Sequence, residues 1–138
     1  MLTDLVLRTF RLNGRFLEVA ERLARPVGLT AAWWQVLGAT LGEPLPVSGI
    51  ARDMGLARQS VQRIADLLVE RGLASYRPNP AHRRAKLFEP TDKGRDAIAA
   101  LAAAQHEWAN AVAASVELDA LRTTLDTVNR LADQLTHE

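Results

Sequence analysis

The chain has 138 residues, of which 48% are hydrophobic and 24% charged. That balance fits one folded unit and is too apolar for a disordered one. There is no cysteine, which excludes disulfides, zinc-thiolate sites, thiol catalysis and thiol oxidation as a signal. The opening Met1–Phe10 mixes charge with apolar residues, and no run of about 18 apolar residues occurs, so neither a leader nor a membrane span is expected and the cytoplasm is the default compartment. The net charge of +1 conceals an asymmetry. Residues 51–86 hold eight Lys and Arg against three acids, a net of +5, whereas residues 87–138 hold four against nine, a net of −5. A central basic block of this kind suits a polyanion.

In chain order, Leu5, Leu12, Phe16, Val19 and Leu23 recur at helical spacing and predict a helix over about 3–24, closed by Pro26 and Gly28. Thr30 is placed to cap a second helix with Trp34, Leu37 and Leu41 on its apolar face, and Gly42, Pro44 and Pro46 break it. A short third helix spans about 47–53 and turns at Met54-Gly55; a fourth spans about 57–70 with Val61, Ile64, Ala65 and Leu68 inward and Gly72 just past its end. Two extended runs, 73–77 and 85–89, flank Pro78-Asn79-Pro80 and predict a hairpin. Thr91 can cap a long alanine-rich helix whose apolar side is Ile98, Leu101, Trp108, Val112 and Val116. The last helix, about 117–136, carries Leu118, Leu121, Leu125, Val128, Leu131 and Leu135. The fold class is therefore mainly α with a small β-hairpin.

The third and fourth helices have the residues that a helix-turn-helix needs. Ala51 allows close approach, Gly55 makes the turn, and Val61 is the buried branched residue, with Ile50, Met54, Leu56 and Ile64 expected as flanking apolar contacts. The outward face of the fourth helix offers Arg58, Gln59, Ser60, Gln62 and Arg63, with no acid from 57 to 65. An ordinary solvated face mixes Glu with Lys. Arg can bond guanine in bidentate fashion, Gln adenine, and Ser either. The hairpin holds Arg77, His82, Arg83, Arg84 and Lys86, a loop able to lay Arg on the backbone or in a narrow minor groove.

These pieces resemble the MarR family of bacterial winged helix-turn-helix regulators. The resemblance rests on Leu29-Thr30, the run Ile50 to Leu56, Val61 with Ile64, the run Leu68 to Leu73, the wing Arg77 to Lys86, and Thr91 to Gly94. About half the chain matches in motif, and the terminal helices match in length, order and amphipathicity. The resemblance implies a single unit over 1–138, with a DNA-binding lobe at 29–91 and dimerisation helices at 1–28 and 92–138. It further implies a homodimer on near-palindromic double-stranded DNA, acting as a repressor, with a small aromatic ligand as possible inducer. Leu5, Leu12, Leu118, Leu121, Leu125, Val128 and Leu131 are the dimer candidates, and Trp33, turned about 100° from Trp34, is the ligand candidate beside the blander reading of two packed aromatics. Three positions depart from the family pattern. His82 stands where an Asp usually orients the wing Arg, here Arg84; Ala57 replaces a capping residue; and Pro90 replaces an apolar one.

No catalytic or metal constellation is present: His82, His106 and His137 are far apart, and His106-Glu107 lacks a second His four residues on. An enzyme is not expected, nor a cofactor, nor a membrane partner. The competing readings are a winged helix turned protein-interaction module, which would need an acidic or apolar recognition face, and a nonspecific architectural DNA binder.

Overall fold

The computed structural model describes residues 1–137; Glu138, the last residue of the stretch assigned to dimerisation, lies outside them. The elements in chain order are α1 (Leu2–Ala24), a 3-10 turn (Arg25–Val27), α2 (Ala31–Ala39), β1 (Leu45–Pro46), α3 (Val47–Met54), α4 (Arg58–Glu70), β2 (Ala74–Arg77), β3 (Leu87–Pro90), α5 (Asp92–Ala113) and α6 (Leu118–Thr136). Two compact units divide the chain, Met1–Ala102 and Ala103–Glu138.

In the first unit the core lies where α2, α3, α4 and the sheet converge. Val36, Leu37, Ile50, Val61, Ala65, Leu68, Phe88 and Leu101 have no exposed surface. Their spacing on α4 (61, 65, 68) is one inward stripe of an amphipathic helix. Ala51 is buried where α3 meets α4, as close approach demands. Gly55 ends α3 at φ 65°, a conformation that costs a residue with a Cβ about 1 kcal/mol or more. It lets Leu56 donate its N–H to the Ala51 carbonyl at 3.0 Å and swings the chain into α4. The same closing motif follows α4, where the Leu73 N–H reaches the Leu68 carbonyl at 2.9 Å. Thr30 caps α2 through a 3.1 Å bond from the Trp33 N–H, and Ala57 precedes α4 with no side-chain cap. Thr40 is fully buried and satisfied by the Leu37 carbonyl.

The sheet corrects the expected two-stranded hairpin. It has three antiparallel strands in the order β1-β3-β2, with Leu45 opposite Phe88 and Pro46 opposite Leu87. On the other side of β3, Tyr76 faces Phe88 and Ala74 faces Pro90. Pro90 is therefore the buried last residue of β3, one residue beyond the expected run 85–89. Three apolar residues are also placed differently from expectation. Leu41 and Leu56 keep 37% and 44% of their surface exposed, because α2 ends at Ala39 and the α3–α4 turn lifts Leu56 away from the helix interface. Val116 lies beyond the end of α5, in the turn before α6.

The junction of β3 with α5 is tightly drawn. The Thr91 N–H donates to the Leu73 carbonyl at 3.1 Å, the Thr91 hydroxyl donates to the Gly72 carbonyl at 2.7 Å, and Thr91 Oγ1 accepts from the Gly94 N–H at 3.2 Å. Thr91 thus caps α5 as its sequence position suggests. Gly94 is buried against the Leu73 carbonyl, with no space for a side chain.

The N-terminal part of α1 is exposed on all sides through Leu17, and only its C-terminal end, at Leu23 and Ala24, joins the core. Glu21 helps to anchor it by accepting the Ala31 N–H at 3.0 Å. The second unit consists of the end of α5 and the whole of α6. Leu118, Leu121, Leu125 and Val128 are 40–62% exposed there, and Leu131 is half-buried. No helix among the described residues is long and apolar enough to cross a membrane.

Candidate nucleic-acid interface

The helix-turn-helix places the first two turns of α4 at the surface. Arg58, Gln59, Gln62 and Arg63 are exposed, while Ser60 is half-buried. The absence of acids here leaves α4 with a positive start, to which the unsatisfied N–H groups of its first turn add.

The wing supplies the second wall. Its tip, residues 78–86, is held by an Asx turn in which Asn79 Oδ1 accepts the Ala81 N–H at 3.0 Å, and the His82 N–H returns to the Asn79 carbonyl at 3.2 Å. His82, Arg83, Arg84 and Lys86 are all exposed. A cleft of about 270 Å³ separates wing from helix, and Arg58 and Gln62 from α4 line it together with Arg84 and Lys86 from the wing. The fold thus brings Arg58, Gln62, Arg84 and Lys86 to one site. Arg77 is set apart by a 3.8 Å pairing with Glu89 across the β2–β3 ladder. At 52% exposure for the Arg77 side chain, that pair leaves the guanidinium open to solvent.

One feature of the site was missed by the sequence reading. Gln62 Nε2 donates to Asp66 Oδ1 and to Tyr76 Oη, each at 3.0 Å, and Tyr76 Oη donates to the same carboxylate oxygen at 2.6 Å. This network ties α4 to β2. Burial, and next the hydrogen bond and charge of Asp66, push the Tyr76 phenol well above its usual range, so it stays a neutral donor. The Tyr76 ring is packed edge-on against Phe88 with centroids 6.0 Å apart. The i, i+4 spacing of Gln62 and Asp66 was available as a signal; the third member, ten residues on in a strand, was not.

Trp33 and Trp34 are both half-buried against the core. The Arg71 guanidinium sits over the Trp33 ring at 5.7 Å, a cation–π contact.

A recognition helix whose polar face is framed by a basic wing defines the winged helix-turn-helix class of DNA-binding regulators. Comparison with known proteins narrows this. The family model described as "MarR family" matches residues 27–85. A protein of Mycobacterium tuberculosis, Rv2011c, is 37% identical over 127 residues, covering 92% of this chain and 89% of its own. Among solved structures, a MarR-family transcriptional regulator from Rhodococcus sp. RHA1 superposes with a TM-score of 0.78 at 26% identity, covering 96% and 94% of the two chains. The transcriptional repressor CouR, bound to a 23-mer DNA duplex, gives 0.78 at 29% identity over 91% and 89%. The chain belongs to the MarR family, whose members are transcription regulators and not enzymes.

Proposed function

We propose that this protein is a cytoplasmic, homodimeric repressor that reads a near-palindromic DNA operator through α4 and its wing. The observation that carries the reading is the cleft in which Arg58 and Gln62 of α4 meet Arg84 and Lys86 of the wing, beside the start of α4, where residues 57–65 include no acid. In this reading Arg58, Gln59, Gln62 and Arg63 meet base edges in the major groove, Ser60 adds a shorter contact, and Arg77, His82, Arg83, Arg84 and Lys86 hold the backbone or the adjacent minor groove. The neighbour CouR, bound to a 23-mer DNA duplex, supports the same use of the fold. His82, in place of an acid, adds no negative charge beside Arg84 and is able to donate to a phosphate itself.

Two such lobes on one duplex require a dimer. The exposed apolar residues Leu5 and Leu12 of α1, with Leu118, Leu121, Leu125 and Val128 of α6 and the half-buried Leu131, are the surface assigned to it. Aliphatic side chains left this exposed on each helix are what a partner surface would cover. Relief by a small aromatic ligand belongs to the same reading. Trp33, with Arg71 over its ring, is the residue assigned to it, and phenolic acids titrated against the DNA complex, followed by tryptophan emission and DNA release, test that assignment.

Selection of binding sites from random duplex DNA by the purified protein tests the whole. The expected product is a near-palindrome with half-sites about one helical turn apart, 10–10.5 bp. Salt-sensitive binding without a recovered motif would identify a nonspecific binder, and no binding at low salt would assign the basic block to another partner; either result overturns the proposal.

A further inference from the structure

The Gln62 amide does not sit free at the proposed interface, and its partners determine which way it faces. Asp66 Oδ1 is a carboxylate oxygen and only accepts. Tyr76 Oη has a single proton, and its 2.6 Å bond commits that proton to Asp66. What the hydroxyl turns toward Gln62, at 3.0 Å, is therefore a lone pair. Both groups that meet the end of the Gln62 side chain are acceptors, so its NH2 must face them and its carbonyl Oε1 must face away. The reversed amide would set Oε1 at 3.0 Å from a carboxylate and from a phenolic lone pair, with no hydrogen between. The pinning is rigid at its far end, since Tyr76 belongs to a paired strand and rests on the buried Phe88.

We infer that Asp66 and Tyr76 are positioning residues for sequence recognition: they hold Gln62 with its carbonyl outward, so that the base it meets must bear an exocyclic amino group. This rests on the DNA-binding reading above and adds a letter to it. In the major groove, adenine N6 and cytosine N4 are donors, whereas guanine O6 and thymine O4 are acceptors. An unrestrained glutamine serves either kind by turning its amide over. Here the turn is blocked, and Gln62 selects amino bases against keto bases on the strand it faces. Asp66 and Tyr76 contact no base themselves; they act through Gln62.

The test uses the full-length protein and the operator recovered by selection. The base facing Gln62 is the one whose preference disappears in Gln62→Ala. At that base the wild type should favour adenine or cytosine over guanine or thymine by about fivefold or more. Asp66→Asn keeps the shape but offers an NH2 to Gln62 Oε1, which permits the reversed amide; the preference at that single position should collapse or move to keto bases, with all other positions unchanged. Tyr76→Phe leaves the Asp66 bond and should weaken the preference without reversing it. A wild-type preference for a keto base, an Asp66→Asn profile identical to wild type, a uniform loss of affinity at all positions, or no base responding to Gln62→Ala would each overturn the inference while leaving DNA binding intact. Failure to recover any operator would overturn both readings.

Discussion

Replacing Gly94 with alanine puts a tightly built junction to the test. A Cβ on Gly94 would lie 2.0 Å from the Leu73 carbonyl oxygen and 3.1 Å from its carbon. Ordinary contact begins at 3.4 Å, so backbone must part from backbone by about 1.4 Å. The Leu73 carbonyl is also the acceptor for the Thr91 N–H, and Thr91 holds Gly72 and Gly94 through its hydroxyl. Overpacking of this kind costs about 1–3 kcal/mol, and losing or stretching two hydrogen bonds adds about 0.5–1.5 kcal/mol each. The gain in helix propensity from Gly to Ala offsets about 1 kcal/mol. The expected net loss is about 3 kcal/mol, or on the order of 10 °C in thermal midpoint for a chain of this length. The control is Gly38→Ala, also helical, where an added Cβ meets nothing within 4 Å and stability should rise by up to about 1 kcal/mol. Urea unfolding followed by circular dichroism measures both. If the two substitutions behave alike, or Gly94→Ala is the more stable, the close approach of α5 to Leu73 does not exist as described.

Further outcomes are expected on the same physical grounds. Lys86→Ala should weaken DNA binding about equally on all sequences and reduce the dependence of log affinity on log salt by about 1, the signature of one lost phosphate contact; an affinity loss confined to one base position would contradict the wing's assignment to the backbone. Tyr76 is the chain's one tyrosine, so phenolate absorbance in alkali reads it alone. It should titrate above the usual 10.0, and Asp66→Asn, which removes the charge, should bring it down. Because the folded-state value is the raised one, the stabilisation that this phenol contributes is complete below about pH 10 and is lost as pH climbs toward the folded value. Leu121→Glu with Leu125→Glu should convert a dimer to a monomer in sedimentation experiments and weaken operator binding, while leaving the far-ultraviolet spectrum of the first unit in place; an unchanged mass would remove α6 from the interface.

Much of this protein is determined by local chemistry, and that part is legible from the sequence. The inward stripe Val61, Ala65, Leu68, the turn at Gly55, the cap at Thr30 and the cap at Thr91 each depend on residues within about one helical turn of each other, where periodicity, propensity and capping act directly. The acid-free start of α4, residues 57–65, and the basic tip of the wing are legible for the same reason, as is kinship with the MarR family, which lies in the order of such local signals. Tertiary structure alone decided the rest. β1 consists of Leu45 and Pro46, too short for any periodic pattern, and exists because β3 offers it an edge more than 40 residues away in the chain. Leu41 and Leu56 satisfy the apolar pattern yet face water, since where a helix ends and how a turn is lifted depend on the packing of other elements. The Tyr76 partner of Gln62 was invisible for a similar reason. An exposed glutamine on a helix looks free in one dimension, and only the folding of β2 beside α4 brings the Tyr76 hydroxyl to it and gives the amide its direction.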